Sequence, residues 1–172
     1  MQNRELTSSK PIHRKIIFVA VVLVVCAAAA ATVFFYRNYG WFTLRNEKTG
    51  ELCSRYLVHD GEWFSIGFIH SVNQSPLTDY YEFQDHRIYV EKTIYYGFGA
   101  GVQTELEDGQ TLEYGEDGSM VVSGFHREIP DLLYIVGTIS DHTLVINGGE
   151  EISLRDLCGK NTMVRFSYDP LF

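Results

Sequence analysis

Residues 16–36, IIFVAVVLVVCAAAAATVFFY, are 21 consecutive positions without a charge, and no other feature limits the chain as strongly. At ~1.5 Å per residue, a helix of that length spans about 30 Å, the thickness of a hydrocarbon core. The stretch reads as a transmembrane anchor, with a long signal peptide as the alternative. Ala27 to Ala31 offers small residues for cleavage, but the apolar run exceeds the ~7–15 residues of an ordinary signal core. Val25 before Cys26 is also a poor fit to lipoprotein processing. Ahead of the run lie Arg4, Lys10, Arg14 and Lys15 against the single acid Glu5. Such a flank stays on the cytoplasmic side. The expectation is a single-pass protein of the cell membrane, with residues 1–15 as a cytoplasmic basic tail and the rest extracytoplasmic.

Beyond the anchor, Arg37 to Phe172 carry 10 basic against 21 acidic side chains, a formal charge of −11. That surface repels phosphate, so no nucleic acid partner is expected. These 136 residues suffice for one compact domain, not comfortably for two. Arg37 to Gly40 form at most a very short linker, because Trp41 already opens the β-like WFTLRN. Residues 41–172 are expected to form the outside domain, close to the bilayer.

Within it, short runs of aromatic and β-branched residues alternate with Gly, Asp and Asn, and helical periodicity is almost absent. Strands are expected at 41–45, 52–58, 63–70, 78–83, 87–95, 111–114, 120–123, 132–136, 143–146, 151–154 and 162–168. Asp60-Gly61, Asp108-Gly109, Asp117-Gly118 and Asn147-Gly148 are pairs that accept positive φ and so favour hairpin turns. One short helix is expected over Ser153 to Cys158, ending at Gly159. The fold class is therefore all-β: a single sandwich or small barrel after an N-terminal transmembrane helix.

The stretch IGFIHSVNQSPLTDYYEF, Ile66 to Phe83, holds the candidate site. Alternation puts Phe64, Ile66, Phe68 and His70 on one face, the core side. If the chain turns through Ser71 to Thr78 and returns as DYYEF, Asp79, Tyr81 and Phe83 form the matching inward set. A register with His70 opposite Asp79 also sets Phe68 against Tyr81 and Ile66 against Phe83, favourable cross-strand partners. Three readings follow. His70 and Asp79 make a structural clasp; or they anchor a ligand pocket with Ser71, Asn73, Ser75 and Tyr81 at its rim; or His70 acts as the base of a hydrolase with Asp79 as its orienter. The last needs a serine oxygen within reach of His70, whereas adjacent Ser71 points to the opposite strand face and no G-x-S-x-G elbow is present.

Elsewhere, GFGAG at Gly97 to Gly101 matches neither phosphate-binding glycine pattern and reads as a bulge or tight turn where two backbones approach closely. The outside histidines His59, His70, His86, His126 and His142 lack ligand spacing, so no metal and no cofactor are called for. Cys53 and Cys158 lie where disulfides survive. Joined, they would close a loop of ~105 residues; two free thiols are the alternative.

Together, "FIHSV..SP..D.Y" at Phe68 to Tyr81, "GAG" at Gly99 to Gly101 and "DHTL" at Asp141 to Leu144 resemble the DUF1850 family of small prokaryotic proteins. The likeness covers essentially Trp41 to Phe172. It implies importance for His70, Ser71, Ser75, Pro76, Asp79, Tyr81, Gly99, Ala100, Gly101 and His142. This sequence departs from the motif with Val102-Gln103 in place of Leu-Pro. The resemblance also implies an N-terminal signal or anchor and the company of TAXI-type TRAP transporters. The expected role is thus a membrane-anchored binding or accessory protein, with a small solute or transporter membrane subunits as partner. A hydrolase, or a structural envelope protein acting through its aromatic surface, are the alternatives.

Overall fold

The computed structural model of the protein describes residues 10–72, 74–97 and 105–171. They form two compact units, residues up to Arg37 and Asn38–Phe172. The first is the helix α1 (Lys10–Asn38), of which Ile12–Asn38 is long and apolar enough to cross a membrane, a property that signal sequences share. Strand β1 (Tyr39–Asn46) begins directly where α1 ends, so no linker separates them in the chain.

The second unit is all-β apart from one short helix. β1, β2 (Leu52–His59), β11 (Met163–Pro170) and β8 (Leu132–Ile135) form a four-stranded sheet in the order β2-β1-β11-β8. The larger sheet runs β10-β9-β3-β4-β5-β7-β6. Its members are β3 (Trp63–Ile69), β4 (Pro76–Gln84), β5 (Arg87–Tyr95), β6 (Thr111–Tyr114), β7 (Met120–Glu128), β9 (His142–Ile146) and β10 (Ile152–Ser153). Every pairing is antiparallel, which the short turns within the β1–β2, β3–β4, β4–β5, β6–β7 and β9–β10 hairpins require.

The alternation read from the sequence is what buries the core. Phe42 and Leu44 of β1 and Phe166 of β11 meet Phe64 and Ile66 of β3 and Phe83 of β4, all at most 2% exposed. Phe42 stands 4.5 Å from Phe64 and 4.9 Å from Phe83, ring centre to ring centre, distances at which aromatic pairs add to area burial. The two sheets therefore pack face to face as a sandwich. A smaller apolar cluster of Leu77, Tyr95, Met120 and Val122 lies along β4, β5 and β7.

The four turn pairs sit at strand ends, with glycine φ between 68° and 90°. At Asn147-Gly148 both residues have positive φ, 49° and 68°, and the Trp63 N–H donates to Asn147 Oδ1 at 3.0 Å. Asparagine tolerates that conformation better than other side chains. The helix α2 (Leu154–Cys158) is capped by Ser153, whose Oγ accepts from Asp156 N, satisfying one of the unpaired amides of a first turn.

Two features differ from expectation. β7 runs to Glu128 rather than stopping at Ser123. Gly124 at φ 82° and His126 at φ 37° carry the chain onward, and the β5–β7 register shifts between Val90 and Lys92. The break seen in the sequence is a bulge, not a strand end. The β3–β4 register also differs. Ile66 pairs with Asp79, Phe64 with Tyr81 and Phe68 with Leu77, so His70 is not opposite Asp79. The strands approach closer to the turn than expected, closing through His70 N to Ser75 O and Gln74 N to His70 O, both 2.9 Å. Short connections are the favoured ones. The slip is an even number of residues, so every side chain keeps its face.

Candidate functional site

Seven strands face four, and the uncovered part of the larger sheet carries a cavity of about 690 Å³. Its walls are mostly apolar: Phe68 from β3, Leu77 from β4, Val90 and Tyr95 from β5, Val122 and Phe125 from β7. Of the described strand residues lining it, Leu132 alone comes from the smaller sheet. The bulge in β7 carries Phe125 and Arg127 into the lining, and the segment 137–140 between β8 and β9 forms another side.

The polar centre of this wall is Asp79, which is partly buried. The Thr93 hydroxyl donates to its Oδ1 at 2.7 Å and the Tyr134 hydroxyl to its Oδ2 at 2.6 Å. Because Tyr134 spends its proton on Asp79, Tyr81 must donate in the 2.7 Å contact between the two phenols. Burial pushes the Asp79 carboxyl above its ordinary value, against the opposing pull of the Tyr134 and Thr93 hydrogen bonds. Burial likewise drives the Tyr81 phenol up, helped by the nearby Asp79 charge. Tyr134 is raised further by burial and then by its two neighbours. Both phenols therefore remain protonated donors at any physiological pH.

His142 stacks on Phe68 at 4.7 Å, accepts from Gly137 N at 3.2 Å through Nδ1, and is held toward its neutral form by burial. Its neighbour Asp141 organises the turn. It accepts from Ser153 Oγ, from its successor's amide and from Arg155 N. Burial pushes the Asp141 carboxyl up, and these hydrogen bonds outweigh it, leaving its pKa lowered. Arg155 of α2 in turn donates to the Gly137 and Ile139 carbonyls at 3.3 and 3.0 Å. Helix α2 is thus a brace on the segment that lines the cavity.

Five of the expected site residues, His70, Ser71, Asp79, Tyr81 and His142, line this one cavity. The clasp does not form: Asp79 is bonded to Thr93 and Tyr134, and His70 Nδ1 accepts from Val72 N at 3.3 Å instead. The register slip separates the pair. Ser75 is not in the lining; its buried hydroxyl finds no partner among the described residues, while its carbonyl accepts from His70 N. Asn73, Gly99, Ala100 and Gly101 lie outside the described residues. Cys53 and Cys158 are both thiols, half-buried on the main core. Burial, followed by a hydrogen bond with Cys53, pushes the Cys158 thiol up.

Sequence reasoning missed Thr93, Tyr134, Arg127 and Arg155. The first two become neighbours of Asp79 only through the β4–β5 register and the packing of the two sheets, which no local pattern encodes. Asp141 had a signal, since it opens the DHTL motif.

Residues 64–154 match the family model described as a domain of unknown function, DUF1850, just over half of the 172-residue chain. The protein belongs to the DUF1850 family. The DUF1850 match begins inside β3 and ends at the first residue of α2, so it contains the strands β4, β5, β7 and β9 that build the cavity. It is narrower than the likeness expected from the sequence, leaving out β1, β2 and β11. No curated protein and no solved structure matches this DUF1850 chain.

Proposed function

We propose that this protein is a membrane-anchored, extracytoplasmic solute-binding protein, and that the cavity over Asp79 is where the solute sits. The observation that carries the reading is a concave, mostly apolar cavity of about 690 Å³ with one carboxylate held in its wall by a chain of hydroxyls. That size and that mixture, apolar walls with few placed polar groups, characterise small-molecule sites. The basic residues Arg4, Lys10, Arg14 and Lys15 ahead of the apolar run 16–36 support an orientation with the β domain outside. Native mass spectrometry of the full-length protein, purified from its own membrane in mild detergent, tests the reading. Wild type should carry a small-molecule adduct that Val122→Phe, folded but with the cavity part-filled, lacks. Bare wild-type protein after such gentle purification counts against it.

An accessory role at a solute-uptake transporter is the second reading, favoured by the apolar rim. Ile139, itself in the cavity lining, is 95% exposed, and Val72, next to the lining residue Ser71, is 64% exposed. The resemblance to proteins encoded beside TRAP transporters supplies the candidate partner. A pull-down in which Ile139→Asp loses a transporter membrane subunit that wild type retains would support it; recovery of wild type alone would remove its basis.

A further inference from the structure

An ionised carboxylate has about four lone-pair positions. Asp79 uses one on each oxygen, for Thr93 and Tyr134, which leaves one on each. Both donors are neutral hydroxyls, and no cationic side chain pairs with Asp79 among the described residues. The segment 98–104, FGAGVQT, contains no lysine or arginine. A carboxylate removed from water without a counter-charge is costly unless something supplies one. Asp79 lines the cavity, so whatever enters can do so.

The rest of the lining points the same way. Phe68, Tyr95 and Phe125 present ring surface, which suits an apolar or aromatic body and attracts a cation at its faces. Over the whole outside portion, 21 acidic against 10 basic side chains steer cations inward and repel anions. Arg127 is the one lysine or arginine among the described lining residues, and it is exposed, where solvent screens it.

We propose that the cavity selects a small organic amine with an apolar or aromatic body, its ammonium paired with Asp79. This rests on the solute-binding reading and narrows it to a chemical class. His142, kept neutral by burial, adds no competing charge.

Isothermal titration of full-length protein in phosphatidylcholine nanodiscs tests it, with empty nanodiscs as the blank. Three probes share one body and differ in head group: 2-phenylethylamine, 2-phenylethanol and phenylacetate. The amine should bind at least about tenfold more tightly than the alcohol, as a charge-assisted bond in a half-desolvated site does, and phenylacetate more weakly than both. In Asp79→Asn, which keeps the side-chain shape, the amine's advantage should vanish while the alcohol still binds. Alcohol or phenylacetate binding as well as the amine in wild type would overturn the amine class and leave the solute site standing. No heat from any probe would count against both.

Discussion

The Tyr134 hydroxyl reaches across from the smaller sheet to Asp79 of the larger one, donating at 2.6 Å. This bond ties the edge strand β8 to the polar group of the cavity, so stability and site chemistry are linked through one proton. In Tyr134→Phe, the partly buried Asp79 and the buried Tyr81 each lose a partner. The expected loss is about 1–3 kcal/mol, read from denaturant unfolding. Because Tyr134 opposes the upward push of burial on Asp79, the variant should also raise the Asp79 pKa further, visible in its carboxyl carbon resonance. An unchanged pKa would mean that the bond does not form in solution.

The pH dependence of stability has two opposed contributions. Asp79 has a folded pKa above its ordinary 3.8, so the folded state binds its proton more tightly. Its contribution is fully present below that value and is lost as pH rises through the raised one. His142 has a folded pKa below its ordinary 6.5. Its contribution is present above 6.5 and is lost as pH falls through the lowered value. Asp79→Asn should therefore flatten the decline on the rising side, and His142→Phe the decline on the falling side. Unfolding midpoints from pH 4 to 8 check both; parallel curves for wild type and either variant would contradict the assignment.

Amine binding should itself depend on pH. The ammonium favours ionised Asp79, so affinity should climb as pH rises through the raised Asp79 pKa and then level off. The other charged or titratable groups around the carboxylate and its cavity, among the described residues, are Tyr81 on β4, Tyr95 on β5, Tyr134 on β8, His70 after β3, His142 on β9 and Arg127 on β7. All three tyrosines, pushed up by burial, stay protonated throughout, and the contribution of His142 is separable through its own variant. Proton release measured by titration in buffers of different ionisation enthalpy checks the expectation.

Arg155 holds the cavity-lining segment through the Gly137 and Ile139 carbonyls. Arg155→Ala should cost about 1–2 kcal/mol, in the range of hydrogen bonds to a charged group in a part-exposed place. It should also speed amide exchange across residues 137–140 more than in the core strands. Equal protection in both proteins would show that α2 is not a brace.

The adjacent Cys53 and Cys158 thiols should close under a mild disulfide oxidant, losing two electrons and two protons to it. Clamping a loop of ~105 residues is worth up to about 4–5 kcal/mol, often less. A non-reducing mobility shift that Cys158→Ser abolishes checks the bond. Continued alkylation of both thiols after oxidation would argue that their geometry forbids it.

The helix and the strands were legible because burial imposes a period: uncharged residues throughout 16–36, alternation in Phe64-Ile66-Phe68 and in Tyr81-Phe83. Turn glycines were legible because a positive φ disfavours most other side chains. The partners of Asp79 were not. Thr93 and Tyr134 carry no pattern of their own, and they meet Asp79 only through strand register and sheet packing. The even register slip in β3–β4 shows how far periodicity reaches: it fixed which face each residue occupies but not which residue stands opposite.

The central claim is that a solute occupies the cavity over Asp79, and methyl NMR of the Leu- and Val-labelled full-length protein in nanodiscs tests it most directly. Titration with 2-phenylethylamine should shift the methyls of Leu77, Val90, Val122 and Leu132, which line the cavity. Those of Leu44, Val58 and Val164, buried in the main core and absent from the lining, should stay in place. Shifts of equal size in both groups, or none in the first, would contradict the account.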